Sequence, residues 1–101
     1  MIIYNVTSKI DWSIHEQWVQ WMQQEHMPEV VATGCFIQSQ LLRLLETDEE
    51  EGPTYMAQFF VETKEQLEHY IETFAPPLRQ KGLDKWGNRF ISFRSTMEVI
   101  N

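Results

Sequence analysis

The stretch that most constrains the fold of this chain is residues 18–36, WVQWMQQEHMPEVVATGCF. Apolar residues in and just before it recur at the spacing of one helical face, which predicts an amphipathic helix packed against a core. Those residues are Ile14, Trp18, Trp21 and Met22. Pro28 cannot donate a backbone hydrogen bond, so the helix is expected to bend or end near His26. Gly34 offers a positive-φ position from which the chain can turn into a strand.

Four other segments have the composition of strands. Runs rich in β-branched and aromatic residues predict strands at residues 2–9, 35–45, 55–61 and 90–99. Charge, glycine and proline at residues 47–53 break the second run, so the second and third strands are predicted to form a hairpin.

Capping boxes predict where the two helices begin. They pair Ser13 with Glu16 and Thr63 with Gln66. The second helix carries an apolar stripe at helical spacing, made of Leu67, Tyr70, Ile71, Phe74 and Leu78. Pro76 is expected to end or kink that helix, leaving residues 78–83 as a turn or short helix and residues 85–89 as a turn.

The resulting order, β-α-β-β-α-β, is the split βαβ arrangement of a ferredoxin-like α+β domain, predicted here over residues 1–101. Four antiparallel strands then have two helices on one face. Each strand carries large apolar residues on both sides, as in the neighbours Phe59 and Phe60. A face left bare by the helices therefore needs another cover. We expect a homodimer formed through the sheet, a dimeric α+β barrel, and the 13% aromatic content fits a core plus an interface.

Composition limits the partners and the compartment. The net charge of −7 argues against non-specific nucleic-acid binding, which requires a basic surface. No stretch has the length and hydropathy of a membrane span, and the start lacks the pattern of a signal peptide. The lone Cys35 cannot form an intramolecular disulfide, and the expected location is the cytoplasm.

Several segments, in order, resemble a family of small bacterial proteins, domain-of-unknown-function family 4286. They are MIIYNVT, W-x-x-W-M-x-x-x-H-M-P-E-V-x-A-T-G-C-F, TYMAQF and APPLRQKGLDKWGNRFISFR. The resemblance spans essentially the whole chain and implies membership of the dimeric α+β barrel superfamily. That superfamily includes cofactor-free monooxygenases, muconolactone-isomerase-like proteins, haem-using enzymes and amino-acid-sensing domains, so it implies a cavity without selecting a reaction.

His26 is the candidate catalytic residue. It lies about 120° from Ile14 around the predicted helix, at the margin of the apolar stripe. The resemblance implies that a histidine near the end of this helix can face the cavity and act as an acid, a base or a haem ligand. The structural alternative is a histidine that hydrogen-bonds a nearby carbonyl and supports the bend at Pro28.

Polar residues among the apolar strand positions predict a ligand pocket. Asn5, Gln38 or Gln40, Gln58 and Arg94 are costly to bury unless they are hydrogen-bonded. On one face they would hold a small polar or carboxylate ligand, with Arg94 as its anion partner. The candidate ligand-binding residues are Trp21, His26, Tyr55, Gln58 and Arg94. The alternative is that the polar groups pair with one another, or across a dimer interface.

No metal or cofactor is predicted, because His15, His26, His69 and the single cysteine form no ligand cluster in the sequence. Cys35 has no base beside it and reads best as a small buried side chain. Three functions remain open. They are a small-molecule binding or sensing domain, a cofactor-independent oxygenase or isomerase that uses His26, and a structural dimer without a ligand.

Overall fold

A computed structural model describes residues 1–101. The strands are β1 (Ile2–Ile10), β2 (Gln38–Arg43), β3 (Thr54–Val61) and β4 (Phe90–Glu98). The α-helices are α1 (His15–Trp21), α2 (Met27–Ala32), α3 (Lys64–Thr73) and α4 (Ala75–Trp86). No helix is both long enough and apolar enough to cross a bilayer.

The first helical stretch begins earlier than the predicted capping box. A 3₁₀ turn, Trp12–Ile14, precedes α1, and Asp11 is its N-cap. The Asp11 carboxylate accepts a 2.8 Å hydrogen bond from the backbone N–H of Ser13. That bond lowers the pKa of the Asp11 carboxyl. The prediction that Ser13 caps the helix is therefore wrong, because the tighter first turn moves the cap two residues towards the N-terminus.

The chain stays helical through the predicted break. Met22–His26 form a π-helical turn between α1 and α2, and the backbone N–H of Met27 donates to Met22 O, five residues back. This places Pro28 in the first turn of α2, where a missing N–H is tolerated. Of the two predicted outcomes, a bend or an end near His26, the helical stretch does not end there, because the helix changes type and continues as α2, while Gly34 has the expected positive φ, at 84°.

The sheet has the predicted topology. Its strand order is β2-β3-β1-β4, and every neighbouring pair is antiparallel. The hairpin of β2 and β3 and the ferredoxin-like fold are therefore confirmed. β2 is shorter than predicted because Cys35 and Phe36 lie in the core before the strand begins, while Leu45 follows it on the surface.

Two successive helices follow β3. The Thr63 side chain caps α3 by accepting from the backbone N–H of Gln66 at 3.2 Å, as predicted. Pro76 occupies the first turn of α4, so residues 78–83 are helical, one of the two predicted outcomes, within a helix longer than expected. α4 extends to Trp86, so the predicted turn at residues 85–89 is wrong for its first two residues.

Register divides the strand residues between two faces. The covered face, under the helices, consists of even-numbered residues of β1 and β4 and odd-numbered residues of β2 and β3. The remaining strand residues form the open face. The core lies against the covered face and includes the fully buried Ile10, Val30 and Val61. On the open face, Ile91 and Phe93 are 72% and 66% exposed.

Candidate functional site

A cavity of about 70 Å³, termed the chamber, lies between the covered face and the helices. This volume can hold more than one water molecule. The sheet contributes Tyr4, Val6, Ser8, Ala57, Phe59, Phe90, Ser92 and Arg94. The helices contribute Trp18, Trp21, Met22, His26, Val30, Tyr70, Leu78, Arg79 and Gly82. Eleven of these 17 residues are hydrophobic, so the few polar groups decide what the chamber can bind.

Two arginines border the chamber without carboxylate partners. Arg79, on α4, donates a 2.9 Å hydrogen bond to the Tyr4 hydroxyl. Arg94, on β4 opposite Val6, is exposed and forms no ion pair. The ion pairs of the molecule lie elsewhere, between Arg43 and Glu49 and between Lys81 and Glu29. In a chain with 15 acidic residues, these two guanidinium groups are left for water or a ligand.

Tyr70 lies between these cations and the aromatic core. Its ring packs edge-on against Phe36, with centroids 4.8 Å apart, and against Tyr4 at 6.0 Å. Burial raises the pKa of Tyr70 to about 12, and the nearby Tyr4 adds to this rise, while Arg79 and Arg94 oppose it. The hydroxyl is therefore neutral at physiological pH and can donate a hydrogen bond.

His26 is neutral and makes no hydrogen bond to the protein through its side chain. Its ring stacks on Trp21, with centroids 4.6 Å apart and planes 18° apart. Burial lowers the pKa of His26 to about 4; Glu29 opposes this, while Arg94 and Lys81 lower the pKa further. The alternative role, a hydrogen bond to a nearby carbonyl, is not what the structure contains. The π-helical turn carries His26 into the lining of the chamber, and such turns are frequent at functional sites.

The structure separates the five candidate ligand-binding residues. Trp21, His26 and Arg94 line the chamber. Tyr55 lies on the covered face but outside the chamber, where its hydroxyl meets His15 Nε2 at 2.7 Å. Gln58 lies on the open face, so its predicted place in the pocket is wrong. The reason is the two-residue period of a strand, which puts Gln58 opposite Asn5 rather than beside Arg94.

The amides instead form a polar row across the open face. Gln40 Nε2 donates to Gln58 Oε1 at 2.8 Å, and Gln58 Nε2 donates to Asn5 Oδ1 at 3.2 Å. Asn5 Nδ2 continues the row to Thr7 at 2.9 Å and to Ser95 at 3.3 Å. The row joins all four strands, which matches the alternative in which these side chains pair with each other.

Sequence reasoning did not identify four polar residues of the chamber. They are Ser8, Ser92, Tyr70 and Arg79. Ser8 and Ser92 face each other across β1 and β4, with their hydroxyl oxygens 2.6 Å apart. Tyr70 has the spacing of a core residue, and Arg79 stands in a basic segment, residues 79–94, that suggests a solvated face, with a local anion site as the alternative. Only the packing of α4 against β1 brings Arg79 to Tyr4.

The other titratable side chains do not converge on a second centre. No three His, Cys, Asp or Glu side chains lie close enough together to hold a metal ion. His69 contacts Thr73 and Phe74 on the surface of α3, and Cys35 is a buried free thiol.

The sheet topology and the chamber beneath the helices define a ferredoxin-like α+β protein. Residues 1–100 match the family described as a domain of unknown function, DUF4286, and the chain belongs to that family. The resemblance seen in the sequence is thus confirmed. No protein of curated function matches the chain.

Solved structures share the fold at low sequence identity. An ethyl tert-butyl ether d (ethd) family protein from Bacillus halodurans has a TM-score of 0.71 at 11% identity, covering 98% of this chain and 100% of that one. A protein from Arabidopsis thaliana has a TM-score of 0.70 at 9% identity, covering 100% and 99%. A dimeric ferredoxin-like protein from an uncultured marine organism has a TM-score of 0.68 at 10% identity, covering 99% and 95%. At these identities the likeness establishes the fold alone.

Proposed function

We propose that this protein is a homodimeric domain that binds or senses a small molecule in the chamber. The observation that supports this most directly is the pairing of two uncompensated arginines, Arg79 and Arg94, with a neutral and unpartnered His26. Water can reach these groups, since Arg94 is exposed and no ring nitrogen of His26 is both fully buried and unpaired. A ligand with matching polar atoms would replace that water.

A second copy of this chain is the proposed cover of the open face. Besides the exposed Ile91 and Phe93, that face contains a single charged residue, Lys9, in a chain of net charge −7. A face with one charged residue, exposed apolar side chains and amides already paired with one another is typical of an interface core. The marine structural relative is described as dimeric, which supports the same assembly here.

A second candidate function is a cofactor-independent oxygenase or isomerase. His26 would accept a proton through a free ring nitrogen, and Arg94 would stabilise the oxyanion that forms. The unpartnered imidazole favours this role. Its pKa of about 4 makes it a weak base near neutral pH, which is why we place the binding role first. We propose a cytoplasmic location for either role, since the Cys35 thiol is free.

Native mass spectrometry of freshly purified protein tests the binding proposal. We expect a dimer mass with an added small molecule that is released on denaturation. The variant His26→Gln should lower the occupancy, whereas His69→Gln, a matched control on the surface of α3, should not. A protein that is dimeric, carries nothing and has both variants unchanged would instead indicate a structural dimer. A monomer in dilute buffer would overturn the proposed assembly.

A further inference from the structure

The chamber has two chemically different ends. Along β4, Arg94 and Phe90 are four residues apart on the same face, about 13 Å at the usual rise per residue. Arg79 and the hydroxyls of Tyr4 and Tyr70 lie with Arg94 at the first end. The second end is aromatic and consists of Trp18, Trp21 and Phe90. A ligand that satisfies both ends needs charge at one end only.

The charged end is built for an anion. Arg79 donates to the Tyr4 hydroxyl at 2.9 Å, and Arg94 stands opposite Val6, two residues along β1 from Tyr4 on the same face, so both guanidinium groups border one end of the chamber. Guanidinium groups match the planar, two-oxygen geometry of a carboxylate. Glu29, the acid that acts on His26, is already paired with Lys81 at 2.8 Å, so its charge is partly offset.

The aromatic end is bordered by Gly82, which has no side chain. A Cβ atom added there would lie 3.6 Å from Trp21 Cη2 and 3.9 Å from Phe90 Cζ, which is ordinary van der Waals contact. The backbone of α4 therefore approaches both rings closely, and no ligand ring fits between Gly82 and Trp21. Trp18, Trp21 and Phe90 line the chamber with aromatic surface, which packs favourably on a flat, unsaturated group.

Resting on the proposed binding function, we infer that the ligand class is a small organic carboxylate or enolate with a flat, unsaturated body. Its oxygens would lie between Arg79 and Arg94, and its body would lie against Trp21 beside Gly82. His26, stacked on the same indole, would offer a ring nitrogen to a polar atom of that body.

Four simple probes separate the features of this class. Benzoate has both charge and a flat body, benzamide lacks the charge, cyclohexanecarboxylate lacks the flatness, and inorganic phosphate lacks the body. Binding is measured on the dimer by following the indole N–H signal of Trp21, assigned with Trp21→Phe, in an NMR titration. We expect benzoate to bind at least about tenfold more tightly than the other three probes, because benzamide lacks the charge-assisted contact, cyclohexanecarboxylate the stacking contact and phosphate the aromatic body.

Variants test the charged end. Arg94→Gln should weaken benzoate binding about 10- to 100-fold and leave the fold intact, because Arg94 is exposed and bonded to no other side chain. The matched control is Arg89→Gln, which removes an exposed cation that does not line the chamber. It should change the dissociation constant less than about twofold.

Three results would overturn the ligand class. Benzamide binding as tightly as benzoate would show that the chamber takes a neutral ligand, and the binding function would survive. Equal binding of benzoate by Arg94→Gln and by the unmodified protein would do the same. If no probe shifts the Trp21 signal, the class is wrong, and native mass spectrometry decides the binding function separately.

Discussion

The two faces of the sheet treat polar side chains in opposite ways, although the same strands supply both. On the open face, Asn5, Gln40 and Gln58 bond to one another across the strands. On the covered side, the Arg94 side chain forms no ion pair or hydrogen bond with the protein, and the His26 side chain forms no hydrogen bond with it. The difference indicates which polar residues hold the sheet together and which are left to act on something else.

The largest difference between the faces is expected in the free energy of unfolding. Phe59, on the covered face, is 2% exposed and packs against Tyr4 and Phe36. We expect Phe59→Ala to cost about 3–5 kcal/mol, measured by urea denaturation. Phe60→Ala, one residue along on the open face, should cost less than about 2 kcal/mol and should depend on protein concentration. Equal costs at high dilution would mean that a single protomer already buries both faces.

A charge placed on the open face should break the dimer. In Phe93→Asp, the two-fold assembly would bury an unpaired carboxylate from each copy, at about 3–5 kcal/mol per charge. We expect the dissociation constant to rise more than about 100-fold, measured by light scattering during size-exclusion chromatography. Leu83→Asp is the control, since Leu83 is 52% exposed on α4, away from the sheet. Survival of the Phe93→Asp dimer would remove this face from the interface.

The fold could be predicted because its signals are local. Alternating strand residues, the Thr63 cap and the glycine turns specify four strands and the hairpin without long-range information. The errors arise where two local readings compete. A proline pair can end one helix or begin the next, and Pro76 does the second because α3 has already closed at Phe74. Nothing in the local pattern reveals the π-helical turn that carries His26.

The site was less predictable because it depends on how separate layers meet. A one-residue change of phase separates Gln58, on the open face, from Phe59, which lines the chamber. Tyr55 lies on the covered face as the chamber requires, but its hydroxyl is hydrogen-bonded to His15 instead. Arg79 and Tyr70 meet Arg94 only because of the way α3 and α4 are oriented on the sheet. The spacing of residues in the sequence does not determine that orientation.

Acid should destabilise the covered side through His26. Its pKa is about 4 in the folded protein and near 6.5 when unfolded, so the unfolded state takes up the proton first. The contribution to stability is complete above pH 6.5 and is lost as the pH falls towards 4, amounting to about 2–3 kcal/mol. The difference in unfolding free energy between the unmodified protein and His26→Gln should shrink over this interval. A difference that is constant with pH would mean that the His26 ring is not desolvated in the folded protein.

A bound anion should change how the free energy of unfolding falls in acid. An anion between Arg79 and Arg94 offsets the positive charge that helps to hold the pKa of His26 low. With benzoate present, the pKa of His26 in the folded protein should therefore rise, so the acid loss of stability should be smaller and should end at a higher pH. This comparison separates the charge of the arginines from simple burial, because burial alone would leave the curve where it is.

The smallest effect tests whether the space at Gly82 is kept for a ligand. Glycine inside a helix costs roughly 0.5–1 kcal/mol relative to alanine, and the added Cβ would make only ordinary contacts with Trp21 and Phe90. Gly82→Ala should therefore raise the free energy of unfolding by up to about 1 kcal/mol in thermal denaturation. It should also fill the aromatic end of the chamber and weaken the binding of benzoate there.

The control is Gln80→Ala on the exposed side of α4, which leaves the chamber open. A variant that gains stability and loses the ligand would show that the covered face gives up packing to keep its cavity. A variant that gains stability and keeps the ligand would remove Gly82 from the site and leave the arginines to carry it.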